Sequence, residues 1–222
     1  MIGIDLHIHS KYSSDSVLSP GTIIKKAKSE GLSAIAVIDH SSVSGARETL
    51  REASGDNILV VPGTEIRTDG FGDLIGLFVE RYVASTDLYG AIDEIRDQDG
   101  LVVLPHPLRS HSAVSREIMD NVDVVEVLNG RTARRKNIGA RQLALLYGKP
   151  MLSGSDAHFG FEIGCVRTIL SGVSSSLEEL RKSLIENDRM LVGRESSPIV
   201  HVLSFGAEII GRAKHVRPNG KI

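Results

Sequence analysis

Two runs of the chain, Ala34-Ile35-Ala36-Val37-Ile38 and Ile58-Leu59-Val60-Val61, are apolar at every position, so neither has a face that water can wet. Strands of this kind are stable only in a sheet covered on both sides, the usual setting of parallel strands joined by helices. The rest of the chain repeats the theme. Strand-length segments are predicted at Ile2–His7, Ala34–Asp39, Ile58–Glu65, Leu74–Val79, Leu101–Leu104, Val122–Val127, Met151–Ser153 and Val166–Leu170. Amphipathic stretches between them predict helices over Thr22–Glu30, Ser44–Ala53, Asp87–Asp99, Arg134–Tyr147 and Ser175–Asn187, with Gly31, Gly100 and Gly148 as stops. About seven such units point to an α/β fold, a closed or nearly closed TIM-like barrel, and 222 residues suit one such domain.

The rhythm stops near Glu195. Residues 1–195 are therefore read as the barrel, and 196–222 as a C-terminal helix over Val200–Ile210 with a basic tail, Arg212–Lys221, packed on the barrel or trailing it. A net charge of −2 gives no general attraction to polyanions. Cys165 is the sole cysteine, so no disulfide can form within the chain, and metal ligands would be nitrogen and oxygen donors. With neither a signal peptide nor a long uncharged apolar stretch, the expectation is a cytoplasmic protein that does not span a membrane.

Side chains that bind metals stand at the ends of these apolar runs: His7 and His9, Asp39 and His40, Glu65, His106, and Asp156 with His158. Residues two apart on a strand face the same way, so His7 with His9, and Asp156 with His158, can each grip one ion. In a β/α barrel the C-terminal strand ends converge, which brings such residues together. Any one of these histidines alone is more simply a structural residue. Independent structural roles for all of them require repeated coincidence. Asp15, in the loop Tyr12–Ser16, is either a further ligand or a turn residue. Asp5 shares the parity of His7 and either orients an imidazole or is a solvated strand-edge carboxylate.

The segments Asp5-Leu6-His7-Ile8-His9-Ser10 with Asp15, Ala36–His40, Pro62–Ile66, Pro105-His106-Pro107 and Gly154–His158 occur in an order that resembles the polymerase and histidinol phosphatase (PHP) family. The resemblance runs from residue 2 to about residue 195. It implies a distorted seven-unit barrel holding two or three divalent ions, with Zn, Mn or Fe as candidates. By that resemblance His7, His9, Glu65 and Asp156 would hold a first ion. Glu65 would bridge to a second ion that also takes His106, and Asp15, His40 and His158 would hold a third. Many relatives supply another histidine before the final Asp-x-His. This chain has none between 112 and 157, and Asn129 or a water would stand in its place.

Such ions lower the pKa of a bound water, and the expected reaction is attack of hydroxide on the phosphorus of a small phosphomonoester or nucleotide, with Glu65 and Asp156 central. Arg109, Arg131 and Asn129 are the expected substrate contacts, since Arg binds phosphate in a bidentate fashion. Arg67 is a further candidate at the mouth, while Arg134, Arg135, Lys136 and Arg141 fit a solvated helix face equally well. His111 and His201 are candidates for leaving-group protonation, each with a plain surface alternative.

The family also includes nucleases, so a 5′-3′ exonuclease acting on oligonucleotides is an alternative, as is histidinol-phosphate hydrolysis. Five Phe, four Tyr and no Trp leave few stacking platforms for bases. A non-catalytic subunit of a nucleic-acid complex is the reading from a different class, and the intact ligand set speaks against it. Oligomeric state is not legible.

Overall fold

The computed structural model describes residues 1–109, 111, 113–172 and 175–194. Along the chain the elements are β1 (Ile2–Ile8), α1 (Pro20–Ser29), β2 (Ala34–Val37), α2 (Ser44–Glu52), β3 (Leu59–Arg67), β4 (Asp73–Leu77) and α3 (Leu88–Arg96). There follow β5 (Leu101–Leu104), α4 (Arg116–Asn121), β6 (Val124–Asn129), α5 (Arg134–Leu146), β7 (Met151–Gly154), β8 (Val166–Leu170), α6 (Leu177–Glu186) and β9 (Arg189–Gly193). The expected helix at Val200–Ile210, the basic tail and His201 lie outside the described residues.

The strands form one sheet in the order β7-β6-β5-β4-β3-β2-β1-β8-β9. It curls into a nearly closed barrel. Leu6, Ile75, Leu77, Val103, Val124 and Leu152 fill the interior. Outside, Ile23, Ile24 and Ala27 of α1 pack on Ile35, Val37 and Val60, while Ala91, Ile92 and Ile95 of α3 join Val102, Leu104 and Val125. This two-sided covering is what the all-apolar runs require, and β2 and β5 are buried at every position. Side-chain caps start several helices: Ser19 accepts from the N–H of Thr22, Asp87 from Gly90 and Ser176 from Glu179.

The sheet is mixed, which corrects the expectation of a parallel one. β1-β2, β2-β3, β5-β6 and β6-β7 are parallel, whereas β4 runs antiparallel to both neighbours, as do β8 to β1 and β9 to β8. The reason at β4 is the short turn from β3: Thr68 Oγ1 donates to the Gly72 carbonyl at 2.7 Å, and Gly70 and Gly72 have positive φ. A connection that short can join only antiparallel strands. Two elements went unforeseen. α4 buries only Ile118 and Met119, too little to show periodicity, and β9 is a largely exposed edge strand.

The barrel closes at the upper end of its seam, where β7 runs out. His9 N–H donates to the Ala157 carbonyl at 2.9 Å and Ala157 N–H to the His7 carbonyl at 3.2 Å. Asp5 seals the same seam. Its carboxylate accepts from the backbone N–H of Ser155 at 3.0 Å and of Gly164 at 2.8 Å. Asp5 is fully buried and bonds no imidazole among the described residues, where its partners are backbone N–H groups, and burial pushes its carboxyl up to about 6.

Candidate metal centre

All eight ligand candidates gather at the C-terminal ends of the strands. The backbone turns sharply there: Ser41, His106 and Asp156 have positive φ, an uncommon conformation for residues with a β-carbon and one that redirects side chains into the mouth. His7, His9, Glu65, His106, Asp156 and His158 are buried, whereas the His40 side chain is 44% exposed at the rim.

The deepest group is His7, His9, Glu65 and Asp156. His7 Nε2 and His9 Nε2 each lie 3.5 Å from Asp156 Oδ1, and His9 Nε2 is 3.4 Å from Glu65 Oε2. Neither Nε2 has a hydrogen-bond partner although both are buried, a costly state in an apolar interior. Two orphaned imidazole nitrogens facing two carboxylates are the donor set of a divalent ion, so the residues fit one. Burial, helped by the nearby His158 and His40, pushes His9 down to about 3 and keeps it neutral. Burial also opposes a charge on His7, but the carboxylates of Glu126, Asp156 and Glu65 outweigh it and raise His7 to about 10. Glu65 and Asp156 lie well below the usual carboxylate range despite burial, Glu65 through the hydrogen bond and charge of His40 and the charge of His7, Asp156 through the charges of Arg109 and His7.

A shallower group stands beside it. Asp15 Oδ2 is 3.0 Å from His158 Nε2 and 3.4 Å from His40 Nε2, and His40 Nδ1 is 3.1 Å from Glu65 Oε2. His158 Nδ1 donates to the Asp156 carbonyl at 2.8 Å, which turns Nε2 toward Asp15. Asp15 Oδ1 is a further buried atom without a partner, and this group too fits an ion.

Around His106 the picture differs. His106 Nε2 is 3.2 Å from Glu65 Oε1, and Glu65, Asp73 and His106 bring donor atoms close together. Yet Arg109 reaches in: Nη2 lies 2.6 Å from His106 Nε2 and Nη1 2.5 Å from Asp156 Oδ2. Asn129, completely buried, uses both ends of its amide. Oδ1 accepts from the N–H of Arg131 and from Thr132 Oγ1, while Nδ2 donates to Glu126 and Asp156.

The structure places the other arginines elsewhere. Arg131 borders the cavity, but its guanidinium forms a buried bidentate pair with Glu162, at 3.0 and 2.9 Å. Glu162 Oε2 in turn accepts the N–H groups of His158 and Phe159, so Arg131 acts on the site by fixing the loop that carries His158. Arg67 is exposed and pairs with Asp73. Lys136 donates to the Arg109 carbonyl at 3.0 Å, and Arg141 lines a groove beside Lys149 and Met151, where β7 begins. His111 Nε2 bonds the Asp73 carbonyl at 2.7 Å.

Two supporting groups, Glu126 and Glu162, were missed in the sequence, and a third, Asp39, was grouped there with the metal-binding side chains but stands behind them. Glu126 Oε1 lies 2.9 Å from His7 Nδ1, and its Oε2 accepts the His106 N–H; the signal was a lone charge inside the apolar run Val124–Leu128. Glu162 carried no such signal. Asp39 holds Ser10 and Ser13, and Ser13 Oγ contacts His9 Nδ1 at 3.2 Å, so Asp39 orients a ligand from behind.

Comparison with known proteins agrees with this picture. The PHP domain family matches residues 5–85, and the PHP-associated family matches residues 134–188. Two uncharacterized proteins of Methanocaldococcus jannaschii are similar. One is 36% identical over 172 residues, covering 72% of this chain and 67% of the relative; the other is 35% identical over 141 residues, covering 56% and 80%. A 5′-3′ exoribonuclease of Haemophilus influenzae is 37% identical over 68 residues, 31% of this chain and 24% of that protein. Among solved structures, a two-domain protein of Bacteroides vulgatus containing a predicted PHP-like metal-dependent phosphoesterase shares the fold. Its TM-score is 0.76 at 19% identity, over 93% of this chain and 69% of that one.

Proposed function

The chain belongs to the PHP domain family, and from that premise we propose that it is a divalent-metal-dependent phosphoesterase acting on a small phosphomonoester or nucleotide. The observation that carries this reading is the pair of buried, unpartnered Nε2 atoms of His7 and His9 facing the carboxylates of Glu65 and Asp156. His7, His9, Glu65 and Asp156 would hold one ion, and Asp15, His40 and His158 another. When bound, such ions supply Lewis-acid charge and lower the pKa of coordinated water.

The chain's own residues do the rest. Glu126 holds the His7 imidazole, Asp39 holds Ser13 against His9, and Glu162 holds the backbone of His158, so the site is built before substrate arrives. The cavity bounded by Asp15, His40, Glu65, Arg109, Arg131, Asp156 and His158 measures about 230 Å³. That is below the roughly 300–1,000 Å³ of a site that swallows a whole small molecule. The phosphoryl group enters, and the remainder of the substrate lies across the rim.

Asp156→Ala or Glu65→Ala should each abolish hydrolysis of an aryl phosphate by metal-loaded protein, and undiminished turnover in either would retire the assignment. The similarity to an exoribonuclease favours a second reading, removal of nucleotides from an oligonucleotide end. A screen of nucleotides, sugar phosphates, histidinol phosphate and short oligonucleotides with Mn²⁺ separates the two. Among the described residues no helix is long and apolar enough to cross a membrane.

A further inference from the structure

The group of Glu65, Asp73 and His106 differs from the other two because guanidinium groups already hold both of its outer donors. Arg67 Nη1 lies 2.8 Å from Asp73 Oδ1, and Arg109 Nη2 lies 2.6 Å from His106 Nε2. The second contact decides the matter. A guanidinium has only N–H donors and stays charged throughout the stable pH range, so the contact exists only if Nε2 accepts. An imidazole nitrogen offers one in-plane lone pair, and a divalent ion at about 2.0–2.1 Å would need that same pair. Arg109 and an ion on His106 Nε2 are therefore mutually exclusive.

Arg109 is also well held where it stands. Nη1 donates to Asp156 Oδ2 at 2.5 Å and to Asn129 Oδ1 at 3.3 Å. Its backbone N–H donates to the His106 carbonyl at 2.9 Å, closing a turn that sets the distance between the two side chains. Only 29% of the Arg109 side chain is exposed.

We propose that Arg109 is the resident cation of the His106 position, so that the chain loads two ions rather than three. The two would sit on His7, His9, Glu65 and Asp156 and on Asp15, His40 and His158. The Arg109 guanidinium supplies the remaining positive charge on the Asp156 and His106 side of the mouth. Unlike an ion it cannot exchange with solvent, and its forked N–H groups suit the oxygens of a phosphoryl group. The two loaded ions rest on the phosphoesterase reading, whereas the place of Arg109 does not.

The test is a crystal structure of the Mn²⁺-soaked wild-type protein with anomalous maps, backed by elemental analysis of the same protein in solution. Two anomalous peaks are expected, neither within bonding distance of His106 Nε2, with Arg109 still on Asp156. A third peak on His106 overturns the inference while leaving the phosphoesterase reading intact, and the absence of any bound ion overturns both. Arg109→Met, which keeps the length of the stem and removes every donor, should raise the metal content from two ions per chain to three. A folded variant that remains at two shows that Arg109 is not what excludes the ion.

Discussion

Glu126 Oε1 lies 2.9 Å from His7 Nδ1, joining β6 to β1 across the buried interior of the barrel. The carboxylate fixes the imidazole tautomer, leaves Nε2 free to face the cavity, and makes that nitrogen more basic. Glu126→Gln keeps the shape and removes the charge. Metal affinity, read by competition with a chromophoric chelator, should fall by about 10–100-fold with the fold intact. Unchanged affinity would mean that Glu126 merely fills space.

His7 is raised to about 10 and His40 to about 11, in each case against burial and through neighbouring carboxylates. Both folded values lie above the unfolded one. Their charge therefore supports the metal-free fold fully below the ordinary histidine value of 6.5, and that support is lost as pH rises through about 10 to 11. An ion needs a lone pair on each ring. Loading at pH 7 should then release about two protons per chain, and apparent affinity should go on climbing with pH until about 10 to 11. Calorimetry in buffers of different ionisation enthalpy measures the release directly, and a value near zero would contradict the pairing.

Arg131 and Glu162 form a buried bidentate pair at the edge of the cavity. Removing one partner leaves a buried charge alone, so Arg131→Ala should lower unfolding free energy by about 3–5 kcal/mol. Pairing it with Glu162→Gln should recover part of the loss but not the anchoring of His158. Urea titration checks the first statement. A raised KM with unchanged stability would mean that Arg131 serves substrate binding rather than the fold.

The clustering of the candidate ligands was legible because ion binding restricts the choice of side chain and barrel topology restricts its place: His7, His9, Glu65, Asp156 and His158 announce themselves at the ends of apolar runs. The direction of β4 was not, since Leu74–Leu77 reads alike in parallel or antiparallel pairing; only the Asp69-Gly70 turn before it carried the hairpin signal. Arg131 shows the deeper limit. A surface arginine and a buried one are the same letter, and the partner that distinguishes them lies 31 residues away in a loop. Nor does anything in the sequence reveal that Asn129 and Arg109 bond each other at 3.3 Å.

Gly154 ends β7 where that strand leans on β1. A β-carbon there would stand 2.5 Å from His7 Cβ and 2.6 Å from Glu126 Oε1. The carboxylate can swing aside, but His7 Cβ is fixed by its strand, so the backbones must part at the seam that Asp5 and Ala157 close. Gly154→Ala should cost about 1–3 kcal/mol of stability, as overpacking of a filled interior does. It should also weaken metal binding, because the displaced groups are a ligand and its orienting carboxylate. Denaturant titration of the metal-free protein isolates the first effect, and chelator competition the second. Wild-type behaviour in both would show that the seam yields without disturbing the site, contrary to the packing seen at His7.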